Sequence, residues 1–477
     1  MSAMILPTLV FLAAYALIAS EKVDKTLVAM IGAFAVCLFG FIPYEEAMAK
    51  VDLNVLFLLA GMMIVIQLIG STGAFEWLAI MIAKKAGGRG LPILVLFLTA
   101  TAVCSAFLDN VTTVILMAPA TILVCQLLEL PAPLFLTLEA IFSNLGGTAT
   151  LVGDPPNILI GSQAHRGLPT IAGRDDLWRL GFGDFIAHLT LPVVVIGAVA
   201  LAVIAFWGRR RLFVSEAARR RIDAARPELA ILHPARLRKT LIVSCLILAG
   251  FFFGRFIGLE PGLTALGGAF LMALWCGSEP AELLEKVEWC TIFFFIGLFI
   301  LIGALEHVGL FERLGLAMMD ATGGRLLPTA LAVLWASAFI SAVVDNIPLV
   351  IAMIPLLHTV VTRFALRFAA PEADVSEFSS EQIQAMIAEL SPEKLAMLRE
   401  YVHLPLFWCL ALGACLGGNG SLVGASANVV AAQLARRNGY KLTFMQFTRV
   451  GLPIMLLSLL ISTAFIYFRY FIDNPLA

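Results

Sequence analysis

The stretch SAFLDNVTTVILMAP (Ser105–Pro119) places a carboxylate, Asp109, and an amide, Asn110, inside an otherwise apolar run. The phrase returns as SAVVDNIPLVIAMIP (Ser341–Pro355), with Asp345 and Asn346 at the same positions. A charge in the middle of a bilayer costs roughly 2.5–3.5 kcal/mol on insertion scales, and residues that bear it face a bundle interior or a watery cavity. A cost met twice, at matched positions, points to a polar site rather than to chance.

The surroundings are those of a membrane protein. Of 477 residues, 60% are hydrophobic and 14% charged, with a mean hydropathy of +0.95; soluble domains are about 45–50% apolar and about 25% charged. Apolar runs of spanning length recur along the chain, without the alternation of a membrane β-barrel. The expected fold is therefore all-α and polytopic, since a helix satisfies its own backbone in lipid. A net charge of −1 gives no bulk attraction to nucleic acid. The eight cysteines are scattered singly, indicating neither a disulfide frame nor a metal set. No nucleotide-binding or hydrolytic motif is present, so neither an enzyme nor a bound cofactor is expected. The N-terminal MSAMILPTLVFLAAYALIAS reads as a first spanning helix rather than a signal peptide, because it lacks a basic leading region.

The repeated phrase belongs to a longer duplication. Residues 51–119 align without a gap on 287–355 at an offset of 236, with 25 identities in 69 positions. A second block pairs SNLGGTATLVGDPPN (143–157) with ACLGGNGSLVGASAN (414–428) at an offset of 271. The extra residues correspond to a polar, acidic insert at 371–401. Each half then holds five spans and one interrupted hairpin. In the first repeat, 4–208, spans lie near 4–19, 26–42, 52–70 and 186–207, with a hairpin at 91–130 and a broken helix at 134–164. In the second, 240–470, they lie near 240–258, 262–277, 288–305 and 450–469, with a hairpin at 327–362 and a broken helix at 403–433.

Five is odd, so the second copy enters the membrane from the opposite face: two inverted-topology repeats. The loop 209–239 between them holds ten Lys/Arg against three acids, which places it in the cytoplasm. Lys84, Lys85, Arg89, Arg436, Arg437, Lys441 and Arg449 then fall on the same side. The acidic insert and both termini fall outside a cytoplasmic (plasma or inner) membrane.

Glycine is costly inside a helix, so Gly146-Gly147 and Gly417-Gly418 are expected to unwind the two broken spans. Unwound backbone at corresponding places of two repeats is the best sequence pointer to a transporter's binding site. Thr148, Thr150, Asn419 and Ser421 follow the glycines and offer hydroxyls and amides; Asn157 and Asn428 close the two segments. These residues, with Asn110 and Asn346, are the candidate substrate ligands. Asp109 and Asp345 are the candidate carriers of a coupling proton or cation, although Asp109 also reads as an N-cap of the following helix. Asp154, whose counterpart is Ala425, joins them as a third candidate. Arg255 and Glu306 read as lone charges snorkelling near span ends, and His358 as the one histidine placed to shuttle protons.

The segments FLDNVTTVILMAP, NLGGTATLVGDPPN, VVDNIPLVIAMIP and GACLGGNGSLVGASANVV resemble the signatures of ArsB/NhaD-type permeases. These belong to the ion transporter superfamily, together with P-protein-like and citrate-transporter-like proteins. The resemblance covers nearly the whole chain. It implies re-entrant hairpins whose tips meet at mid-membrane and a transport domain that moves against a scaffold. The dicarboxylate carriers of that superfamily have Ser-Asn-Thr at the tips. Here Asp109-Asn110-Val111 and Asp345-Asn346-Ile347 stand instead, which disfavours a dianionic substrate and suits proton or cation coupling. The expected activity is efflux of arsenite or antimonite by proton antiport. Sodium/proton antiport is the alternative within the class, and the membrane channel of a pump with a soluble ATPase partner is the alternative outside it. A homodimer is compatible with either.

Overall fold

The computed structural model describes residues 2–19, 22–166, 168–169, 177–208, 212–369, 380–472 and 474. Residues 371–379 of the acidic insert, 209–211 of the basic loop and the side chain of Arg255 lie outside the described set.

Apolar stretches of the first half become helices Ser2–Ala19, Lys25–Leu38, Leu53–Gly70 and Phe182–Gly208; those of the second become Pro234–Phe253, Pro261–Cys276, Trp289–His307 and Phe444–Tyr470. By length and composition, eight described helices, counting hairpin arms, are long and apolar enough to cross a membrane. The protein is thus a multi-pass membrane protein. Its periphery is apolar where lipid would touch it: Ile31, Phe34, Leu246 and Leu274 are exposed. The central helix Leu404–Gly417 is wholly buried.

The sequence reading missed several short helices at the span ends. Ala74–Lys85 and Leu310–Ala321 each begin at a left-handed glycine, Gly73 (φ 81°) and Gly309 (φ 76°), a conformation glycine adopts without steric cost. These two helices lead into the hairpins, and the second meets its hairpin arm at a bend of 118°.

The hairpins are Gly90–Phe107 with Asn110–Leu128, and Leu326–Ser341 with Asn346–Ala369. Each lays its first arm on the first half of a broken span, Ala132–Thr148 or Leu404–Gly417. Helix resumes at Pro155–Gln163 and at Ser426–Arg437. The glycines decide this packing: a Cβ on Gly146 would strike the backbone of Ala102, and one on Gly417 would lie 2.5 Å from the carbonyl oxygen of Ala338. Ala102 and Ala338 are the repeat partners at offset 236. The Gly417→Ala variant is expected to lose at least 1–3 kcal/mol, the usual cost of overpacking a dense core, read as a lower Tm in detergent.

The remaining helices pair across the two halves. Helix Lys25–Leu38 lies on Trp289–His307: Thr26 donates to the Cys290 carbonyl at 3.0 Å, a Cβ on Gly297 would meet Ala29, and one on Gly32 would meet Leu301. Helix Pro261–Cys276 lies on Leu53–Gly70 in the same way, with Gly61 against Ala265. The residues of one contact map onto the other at offset 236 (Ala29 with Ala265, Gly61 with Gly297), so each copy lends one helix to a pair completed by the other.

Candidate functional site

Four helices begin around one cavity of about 220 Å³: those starting at Asn110, Pro155, Asn346 and Ser426. Each is nine residues or longer; Pro155 and Pro156 carry no N–H, and Asn110 N and Thr112 N are already bonded to Gly153 and Asp109, so the helix dipoles rather than free donors face the space. The convergence supplies partial positive charge to whatever occupies the space. Three of the four starts are preceded by an acid, Asp109, Asp154 or Asp345, and the fourth by Ala425.

Asp109 caps its helix, accepting from Thr112 N and Thr112 Oγ1, both at 2.9 Å. Asp345 accepts from the Lys25 ammonium at 3.1 Å and from Ser426 Oγ at 2.7 Å. Asp154 is fully buried and faces the second hairpin tip, where Asn346 Nδ2 lies 3.4 Å from its Oδ1. Asp109 and Asp154 line the cavity directly. Asp345 is turned onto Lys25 and Ser426, and it is these two partners that form the wall there.

The amides interlock the two copies. Asn110 Nδ2 donates to Asn144 Oδ1 at 3.0 Å, and Asn144 Nδ2 donates to Asn419 Oδ1 (2.9 Å) and Asn428 Oδ1 (3.0 Å). Asn428 Nδ2 donates in turn to the carbonyls of Gly418 and Ser421. Asn157 does the same in its own copy, donating to Gly147, Thr148 and Thr150. Both asparagines therefore close the unwound segments by satisfying carbonyls that lost their helical partners.

The hydroxyl candidates are engaged with backbone. Thr148 bonds back to the Asn144 carbonyl at 2.8 Å, Thr150 donates to Ala106, and Ser421 donates to Ala342 at 2.5 Å. Thr150 and Ser421 thereby tie each unwound segment to the adjoining hairpin tip. Gly147 faces Gly153 and Gly418 faces Gly424, a close approach of backbone to backbone within each break. None of these residues lines the cavity. Their geometry fixes the shape of the site rather than offering free ligands. Glu306 is held by Lys50 at 2.9 Å rather than standing alone, and His358 lies away from the cavity, on the other side of the second hairpin.

Four residues of the site carried a signal that sequence reading passed over. Asn144 is a buried amide in an apolar helix, opposite Cys415 in the repeat. Lys25 begins a short span whose twin begins with Pro261. Glu288, at the exposed mouth of the cavity, is the twin of Asp52. Glu139 is a buried carboxylate gripped by Thr101 (3.3 Å) and Thr121 (3.0 Å) between the arms of the first hairpin. Each is a polar side chain within or at the start of an apolar run, the pattern that marked Asp109.

A second cavity, about 600 Å³, shares Ile158 with the first and lies at the N-terminal end of helix Leu53–Gly70. Asp52 there accepts from Ser162 Oγ (2.7 Å) and Arg166 (3.1 Å), and Arg179 pairs with Glu260. The two cavities are related by the duplication: Lys25 and Pro261, Glu288 and Asp52, Phe294 and Leu58 exchange places at offset 236. The chain has one polar pocket on either side of Ile158.

Comparison with known proteins agrees with this duplicated transporter-like core. The model of the citrate transporter family, CitMHS, matches residues 15–375. An uncharacterized transporter of Mycobacterium tuberculosis (strain H37Rv) is 38% identical over 473 residues, covering 97% of this chain and 98% of its own length. A 46 kDa membrane protein of Mycobacterium leprae is 35% identical over 467 residues, with the same coverage. The human P protein is 30% identical over 539 residues, which take in 96% of this chain and 59% of that protein.

Proposed function

Because this chain belongs to the citrate transporter family, we propose that it is a secondary active transporter that exports a small, uncharged, hydroxylated solute of the arsenous acid type in exchange for protons. The observation that carries this reading is the cavity itself. It is small, it is ringed by four helix N-termini, and it is lined by three carboxylates, Asp109, Asp154 and Glu288. A multiply charged carboxylate such as citrate would meet Asp109, Asp154 and Glu288 at close range, and like charges in one low-dielectric space repel strongly. A neutral solute avoids that cost, while its hydroxyls can donate to the carboxylates and accept from helix N-termini.

The two copies are read as inverted, with the basic central loop in the cytoplasm and both termini outside. The cavity at Lys25 and Glu288 then opens to the cytoplasm and the Asp52 cavity to the exterior. The gate between them is the layer holding Ile158 and Asp154. Transport requires that one pocket close as the other opens, and the exchange of helix partners between copies supplies two equivalent seams on which to do so. A carboxylate that meets solvent alternately from each side is suited to carry the proton.

Sodium/proton exchange is the second reading, favoured by Asp109 and Asp154 lining one cavity. Proteoliposomes loaded with arsenite, antimonite or sodium and followed with an internal pH dye separate the two. Substrate-dependent alkalinisation or acidification with arsenite but not with sodium is the expected result. The opposite pattern selects the second reading, and flux that appears only with an added ATPase sinks both.

A further inference from the structure

We infer that the Lys25 ammonium is a tethered cation: in the second copy it fills the place that an exchangeable proton or monovalent cation takes at Asp109 in the first. The pair of hairpin-tip acids would then carry one exchangeable charge instead of two. This rests on the reading of the hairpin-tip acids as coupling groups.

The geometry comes from three separate elements. Lys25 Nζ lies 3.1 Å from Asp345 Oδ2 and 3.1 Å from Ser426 Oγ, and Ser426 Oγ lies 2.7 Å from the same carboxylate oxygen. The Phe294 ring closes the fourth side, 5.0 Å from the ammonium, a cation–π distance. Carboxylate, hydroxyl and ring face thus enclose a compact positive charge. The ammonium stands at the first residue of its helix, where the helix dipole disfavours a cation. The Asp24 cap on Thr26 N and Leu27 N offsets that field in part. A lysine stands here although the position is a poor one for the helix, which is the pattern of a residue placed for its partner.

The duplication supplies the control. The helix that begins at Lys25 corresponds to the one that begins at Pro261, and each is preceded by an acid, Asp24 or Glu260. Asp109 corresponds to Asp345, and among the described residues Asp109 forms no ion pair; its hydroxyl partner is Thr112. Asp109 thus has no lysine placed for it by the repeat, since Pro261 stands at the position matched to Lys25. Lys25 stands on a helix paired with Trp289–His307, whereas Asp345 and Ser426 belong to the hairpin and the broken span, so the pair also crosses the seam between them.

The test uses full-length protein in detergent at alkaline pH, where protons compete least. Melting is followed in sodium, lithium or potassium chloride against choline chloride at equal ionic strength. The Lys25→Met variant is expected to show a rise in Tm with sodium or lithium larger than that of wild type, of Lys25→Arg and of the Lys25→Met/Asp345→Asn double variant. Lys25→Gln replaces Lys25→Met if the latter is not recovered folded. A vacated site that shows no cation-specific rise overturns the inference, because an ordinary stabilising ion pair would lower Tm equally in every salt. The readout needs no substrate. Failure of arsenite flux in wild type would remove the substrate reading and leave this one standing.

Discussion

Replacing Asn144 with leucine is expected to abolish transport and to lower the melting temperature more than any other single substitution in the site. Asn144 is fully buried and is the one side chain that touches both halves of the amide network. It accepts from Asn110 of the first hairpin tip and donates to Asn419 and Asn428 of the second break. Leucine removes all of these bonds at once and leaves three polar atoms of buried residues without these partners. Each buried group so orphaned costs about 1–3 kcal/mol, against a total stability of about 5–15 kcal/mol for a typical domain. The repeat partner of Asn144 is Cys415, whose thiol lies 3.6 Å from Asn157 Oδ1. That contact mirrors the one from Asn144 to Asn428, but a thiol is a weak donor both there and toward Asp154. The Cys415→Ala variant is therefore expected to be mild, with a change in Tm a small fraction of that seen for Asn144→Leu. Equal effects from the two would show that the network is not organised around Asn144.

The skeleton of this protein was legible because lipid imposes a length and a hydropathy on spans, and because a gapless repeat fixed which spans correspond. Helices break at Asp109, at Asp345 and after the two glycine pairs. The short helices at the span ends were not legible, since Ala74–Lys85 and Leu310–Ala321 are amphipathic rather than uniformly apolar. Within the site, residue type marked Asn157, Asn428, Thr150 and Ser421 as polar groups at the breaks but not what they bond. A hydroxyl beside an unwound helix has two outlets, a ligand or a bare carbonyl, and only packing shows that the carbonyls of Ala106 and Ala342 claim it. Lys25 was passed over for a related reason. A lysine at a span end has a ready topogenic explanation, and its partner is 320 residues away in the chain. The comparison that exposes it is with its twin, because a lysine matched to Pro261 cannot be serving a role that both copies need.

The same reasoning separates the acids. Asp109→Asn and Asp154→Asn are each expected to reduce gradient-driven flux by roughly tenfold to a hundredfold, the size of a lost charge-assisted hydrogen bond of about 1.5–3 kcal/mol. They should differ in stability. Asp109 receives two hydrogen bonds from Thr112, and an asparagine oxygen can still accept them and serve as N-cap, so its Tm should hold. Asp154 accepts long bonds from Asn346 and a weak one from the Cys415 thiol, has no cation partner among the described residues, and is wholly enclosed. A buried carboxylate with so little compensation is a strained element of the fold, and its neutral amide should raise Tm while flux falls. Stability and activity moving in opposite directions at Asp154, but not at Asp109, is the signature of a charge kept for transport rather than for folding. Unimpaired flux in the Asp109→Asn/Asp154→Asn double variant, measured with an internal pH dye, would rule out both as proton carriers.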